Sequence, residues 1–210
     1  MEENQNTQLE EHHNLNAVTS IEIEERKFNL LQRQAQAFSK CEFVPKDFRE
    51  NVPNCIIAIN MAKQLKADVV SIMQNMYVVN SNPSWSSTFL IASVNKSGKF
   101  TTLKFKIEGE GDEKSCIAYA NELRTGKLVE SPAVTIKMAK AEGWFNKKGS
   151  KWQTMPDLML RYRAATFFAR LYAPELTMGF QTTDEAEDIR QLKSAEKVDE
   201  KSLEALTSED

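Results

Sequence analysis

The spacing of apolar residues changes several times along the chain, and each change marks an element. Residues 1–20 are polar and without a hydrophobic period, so they read as a disordered acidic tail. From Ser20 to Phe38 a capping serine precedes Ile21, Phe28, Leu31 and Ala35 at a ragged helical spacing. "VPNCIIAINMAKQLKAD" is a clearer helix. Pro53 falls in its first turn, where a missing N–H costs nothing, and Ile56, Ile57, Ile59, Met61 and Leu65 make a broad apolar stripe. "MYVVNSNPSW" is an extended run broken by Asn80-Ser81-Asn82-Pro83, which predicts a short hairpin. "SSTFLIASVNKSG" predicts a helix capped by Ser86 or Ser87 and stopped by Gly98.

The period then becomes two. "KFTTLKFKI" alternates Leu103, Phe105 and Ile107 with Thr102, Lys104 and Lys106, as a half-buried strand does. After the glycine-rich acidic loop "EGEGDEK", "SCIAYANE", an "RTGK" turn and "LVESPAVTI" complete an antiparallel three-stranded meander. "KWQTMPDLMLRYRAATFFAR", Lys151 to Arg170, reads as one helix. Thr154 stands as its N-cap, Pro156 lies in the first turn, and Asp157 follows Thr154 in a capping-box arrangement. Leu158, Tyr162, Ala165, Ala169 and Tyr172 share its buried seam. The order helix, hairpin, helix, meander, helix predicts a single α+β domain with packed helices and flexible acidic termini. Its parts are an acidic tail over 1–20, a core over 21–190 and a second acidic tail over 191–210.

Composition narrows the class. The chain has 210 residues and a net charge of −3, so bulk charge alone does not suggest a nucleic-acid binder. The 3 cysteines, Cys41, Cys55 and Cys116, lie at no metal-ligand spacing and fit reduced thiols in a cytoplasm. No apolar run approaches membrane-spanning length, and the N-terminus lacks the order of a signal peptide. Charge distribution is more telling than net charge. Up to Glu25 the chain carries only acids, and from Asp184 onward acids outnumber bases. Between them Lys137, Lys140, Lys147, Lys148, Lys151, Arg161, Arg163 and Arg170 face only Glu142 and Asp157. A basic segment between acidic ends is a candidate anion site, since acidic tails often shield or compete for such surfaces. Its alternative reading is a solvated lysine-rich loop.

Within that segment, Arg161 follows Asp157 by one helical turn, the spacing of a structural salt bridge. Arg163 and Arg170 lie two turns apart on a line with Met159 and Thr166, flanked by Leu160, Phe167 and Leu171. Guanidinium groups on an apolar flank must meet a buried carboxylate, another subunit or a ligand anion. Few acids lie in the folded middle, which favours a phosphate. Upstream, "KAEGWFNKKGSKW" interleaves lysines with Trp144, Phe145 and Trp152, the composition that single-stranded nucleic acid needs: charge for the backbone and flat faces for bases. The competing reading makes the tryptophans, Trp152 above all, core anchors.

"KWQTMPDLMLRYRAATFFARLY" followed by "GFQTTDEAEDI" resembles the corresponding segment of the phage single-strand annealing proteins of the Red-beta/RecT type. The shared pattern falls on Trp152, Met159, Leu160, Arg161, Arg163, Ala169, Arg170, Asp184, Glu185, Ala186 and Glu187, and "AINMAKQLKADVVSIMQNMYVV" resembles the family's helix-then-strand start of the core. The likeness spans roughly residues 53–190. Members commonly have glycine near position 66, where this chain has Lys66. The resemblance implies an ATP-independent recombinase that coats single-stranded DNA and pairs it with a complementary strand, without bond chemistry. It also implies homo-oligomers, rings or filaments, in a bacterial cytoplasm, with a phage or prophage origin, a partner exonuclease and a host single-strand-binding protein. The residues agree with this. There is no Walker-type glycine loop, and the only histidines are His12 and His13. Arg163 and Arg170 are expected to grip phosphates, with Lys137, Lys140, Lys147, Lys148, Lys151, Trp152 and Arg161 along the strand and Lys104 and Lys106 extending the groove. No cofactor is expected, magnesium being the one candidate aid to annealing.

Two other classes compete. A metal-dependent nuclease would use Asp157, Asp184, Glu185 and Glu187, but "DEAED" also reads as the acid-rich start of a helix. A structural protein would dock an acidic partner on the basic segment.

Overall fold

The computed structural model describes the backbone of residues 2–79 and 82–187, and side chains from residue 19 onward within those ranges. The predicted tail over 191–210 and the turn residues Asn80 and Ser81 lie outside the described residues. Helices packed with small sheets make an α+β fold, as the element order predicts. Contacts divide the chain between Gln74 and Asn75 into two compact units, described in turn.

The first unit is helical. Helix α1 spans Glu2–Ser39, so the backbone over 2–20 is helical where the sequence reading expects disorder, and Ser20 lies inside the helix instead of capping it. No glycine or proline precedes Pro45, so nothing breaks the hydrogen-bond ladder once it starts. Helix α2 (Val52–Leu65) has Asn51 as its cap, whose side chain accepts from the Asn54 N–H at 3.1 Å. Its buried face is Cys55, Ala58, Ile59 and Ala62, a correction to the predicted stripe: Ile57 is 46% exposed. Small side chains at this spacing let α2 lie close against α1, where Ala35 and Ser39 are buried. A short helix α3 (Val69–Asn75) follows, with the Asp68 carboxylate accepting from the Ser71 N–H at 2.9 Å. Between α2 and α3, Lys66 adopts φ 50° and ψ 42°, the left-handed C-cap conformation. A lysine Cβ crowds the backbone there and a glycine does not.

The second unit holds both sheets. Strands β1 (Met76–Val79) and β2 (Asn82–Trp85) form the predicted hairpin, with Val79 opposite Asn82. Helix α4 (Ser87–Lys96) is capped by Ser86, whose hydroxyl accepts from the Phe89 N–H, and Gly98 follows at φ 69°. Strand β3 (Lys104–Glu108) is shorter than predicted, and it pairs antiparallel with β4 (Ser115–Asn121). The third strand of the meander is split into β5 (Leu128–Glu130) and β6 (Val134–Thr135), both paired with β4. At the split, Ala118 donates its N–H to the Ser131 hydroxyl at 3.0 Å, and Ser131 donates its own N–H to the Ala118 carbonyl at 2.8 Å. The hydroxyl thus replaces the backbone acceptor that a regular strand would offer.

Helices α5 (Ile136–Ala141), α6 (Lys151–Thr154), α7 (Pro156–Tyr172) and α8 (Pro174–Thr177) follow. Strand β7 (Gln181–Thr182) then returns parallel to β2. The core lies where α7 crosses β4: Leu160, Ala164 and Phe168 are fully buried with Cys116, Ala118 and Val134, and Phe168 meets Phe100 edge-on at 5.3 Å. The predicted seam is only part of this surface, because Met159, Arg163 and Thr166 are buried as well while Leu158, Tyr162 and Tyr172 stay half-buried.

Two substitutions test these local readings. Lys66→Gly is expected to raise the denaturant midpoint, with a gain of about 0.5–1 kcal/mol from relief of the left-handed strain. Ser131→Ala leaves the Ala118 N–H buried without its acceptor, so equilibrium unfolding should register a loss of about 1–3 kcal/mol.

Candidate nucleic-acid interface

The expected single helix over Lys151–Arg170 is two. Thr154 ends α6 instead of capping α7, and Met155, with φ −139° and ψ 55°, separates them. Pro156 explains the break: it disfavours helical backbone in the residue before it and then suits the first turn of α7. The real cap is Ser150, whose hydroxyl accepts from the Trp152 N–H and donates to the Trp144 carbonyl at 2.6 Å.

That bond closes a knuckle over residues 144–150. Beneath it Trp144 and Trp152 lie 5.6 Å apart, 9% and 1% exposed, within the core cluster. Trp152 is therefore not an available face for a base, which corrects its assignment as a DNA-binding residue: the indole is spent on anchoring. Gln153 ties the knuckle from the other side by donating to the Phe145 carbonyl at 2.7 Å. Its outer surface carries Asn146, Lys148 and Gly149, all exposed, and the half-buried Lys147. Among the described residues Lys148 has no ion-pair partner.

The arginines are corrected too. Arg163 is 6% exposed, with its guanidinium 3.9 Å above the Trp144 ring and 3.5 Å from Glu185. Arg170 makes two parallel bonds to the Glu185 carboxylate, at 2.8 and 2.7 Å. Glu185 also accepts from the Thr182 N–H at 3.0 Å and from its hydroxyl at 3.2 Å, the carboxylate-to-backbone half of a capping box, where the helical segment opens at residue 183. The arginine line thus meets a buried carboxylate and not the expected phosphate. The acid comes from "DEAED", beyond the basic segment, and Thr182-x-x-Glu185 is the sequence signal that locates it. Asp184 beside it accepts from the Ser87 hydroxyl at 2.7 Å and lies 3.7 Å from Lys151. Asp184 and Glu185 are so engaged in holding this segment to α4 and α7. Arg161 does not reach the Asp157 carboxylate as predicted; it donates to the Asp157 carbonyl at 3.2 Å, while Lys114 takes the carboxylate at 2.5 Å.

The lysines remain on the surface. Lys137 is 73% exposed and 3.6 Å from Glu113; Lys140 lies 2.5 Å from Asp112 and 5.2 Å from the Phe145 ring centre. Lys104 and Lys106 stand on the open sheet face, opposite Tyr119 and Ile117 of β4, with Lys106 2.8 Å from Glu108. The hydrogen bond that Lys106 donates to that carboxylate, together with the carboxylate's charge, raises the pKa of the Lys106 ammonium above its ordinary range.

No family model, curated protein or solved structure matches the chain. Among the described residues no helix is long and apolar enough to cross a membrane.

The arginine cluster predicts an order of damage. Glu185→Ala removes the buried carboxylate that Arg163 and Arg170 share and is expected to cost about 3–5 kcal/mol in a denaturant melt. Arg170→Ala should cost distinctly less, because Arg163 and Thr182 still serve the carboxylate and Arg170 is partly solvated. Equal losses would contradict the shared-carboxylate geometry.

Proposed function

We propose that the chain is an ATP-independent single-stranded DNA binding and annealing protein, acting in phage-type recombination in a bacterial cytoplasm. The observation that carries this reading is the lysine-bearing knuckle at 144–150, held out on a buried tryptophan pair within a segment rich in exposed lysine. The resemblance of residues 53–190 to the Red-beta/RecT type gives that surface its ligand.

With both tryptophans buried, contact falls mainly on phosphates: Lys137, Lys140, Lys147, Lys148 and Lys151, with Lys104 and Lys106 at the sheet. Such binding neutralises the backbone and leaves base edges free to meet a second strand, which is what annealing requires. Arg163 and Arg170 support the surface from within instead of gripping the strand. Assembly into rings or filaments fits the apolar side chains exposed on α1, among them Ile21, Phe28 and Leu30, and Tyr77 and Val78 of the hairpin. A partner exonuclease and a host single-strand-binding protein complete this reading, with magnesium as a candidate aid to annealing.

A second reading, a scaffold protein that docks an acidic partner on the same lysines, is favoured by their existing carboxylate contacts. A salt titration with single- and double-stranded oligonucleotides separates the two. The annealing reading expects tighter binding to single strands and affinity falling steeply with salt. Lys147→Ala/Lys148→Ala should flatten the log–log slope by about 1.4, at roughly 0.7 per lost phosphate contact. A flat salt response, or binding to a polyglutamate as tight as to DNA, favours the scaffold reading.

A further inference from the structure

Three lysines assigned above to the strand already have carboxylates at their ammonium groups, all from one stretch of chain. Glu108 at the end of β3 lies 2.8 Å from Lys106, Asp112 2.5 Å from Lys140, and Glu113 3.6 Å from Lys137. Each of these six side chains is at least 39% exposed. Exposed pairs of this kind contribute little to folding and are weakened by salt. Fold stability therefore does not account for placing carboxylates at these lysines.

The loop that presents them is nonetheless preset. Gly109 has φ 76°, and a Cβ there would lie 2.7 Å from the Glu113 carbonyl oxygen, so the turn is closed at a point only glycine fits. The Lys114 carbonyl accepts from the Ile136 N–H at 3.0 Å, fixing the loop's end to the start of α5. The Asp112 and Glu113 carboxylates thus stand opposite the α5 lysines as a feature of the backbone, and Glu108 reaches Lys106 along β3.

We propose that residues 108–113 form a built-in competitor for the nucleic-acid backbone, occupying Lys106, Lys137 and Lys140 until phosphates displace the carboxylates. The inference rests on the proposed function and adds a threshold to it. A single small anion gains little by displacing one carboxylate, whereas a strand exchanges several at once while engaging the knuckle lysines. The loop therefore selects a continuous polyanion over isolated anions.

The test measures the affinity of the full-length protein for an oligo-dT strand at low and at physiological salt. Asp112→Asn/Glu113→Gln frees Lys137 and Lys140 with little change in shape. The control Glu110→Gln/Glu142→Gln removes the same charge from acids that have no ion-pair partner among the described residues. The inference expects the first variant to bind roughly five-fold tighter than wild type at low salt, with the gain shrinking as salt rises and the control gaining markedly less. Thermal melts should match wild type for both. Equal gains in the two variants reduce the effect to net charge and overturn the competitor, as does no gain in either, and both results leave the proposed function standing. Wild-type protein that fails to bind oligo-dT at low salt overturns the proposed function and the competitor together.

Discussion

A carboxylate removed from water must be matched by cations and donors, and the organisation of the larger unit follows from how Glu185 is matched. Two guanidinium groups of α7 and both the N–H and hydroxyl of Thr182 converge on it. The chain can reach that arrangement only by reversing after α8, which it does through Met178 and Gly179 at positive φ. The reversal lays β7 beside β2 and delivers Asp184 to Ser87 at the start of α4. Hairpin, α4 and α7 are so referred to one anionic point. Neutral residues could fill the same volume at no electrostatic cost, but they would not dictate which helix face meets which segment.

Much of this architecture was legible in local patterns. The Ser86 cap, Gly98, the hairpin pairing and the alternation of Leu103, Phe105 and Ile107 are short-range signals, and the structure has them all. What local reading missed depends on distance in sequence. The partner of Arg163 and Arg170 lies 15 residues beyond Arg170, in a motif that by itself marks only a helix start. Trp152 and the lysines beside it have a composition that suits a base platform and a core anchor equally. Only three-dimensional packing decides between those roles, here for the core. Met155 shows a finer limit: Pro156 both suits the first turn of α7 and bars helical backbone from the residue before it, and the second effect is the one that sets the break.

The knuckle and the arginine cluster are mechanically one object. Trp144 packs at a tilt against Trp152, carries the Arg163 guanidinium on its ring, and receives the Ser150 hydroxyl at its carbonyl. Buried charge and exposed charge are therefore joined through a single indole. Fixing the loop from below restricts the backbone that carries these lysines, so surface cations are positioned by an interior they do not touch.

The split between β5 and β6 has a consequence at the edge of the sheet. Pro132 has no N–H, Ser131 turns its own inward to Ala118, and the outer strand thus offers no continuous row of donors and acceptors to a newcomer. An uninterrupted strand edge at high local concentration runs the risk that sheets from different copies fuse into fibres. On this side the backbone refuses that union, and any contact made there falls to side chains.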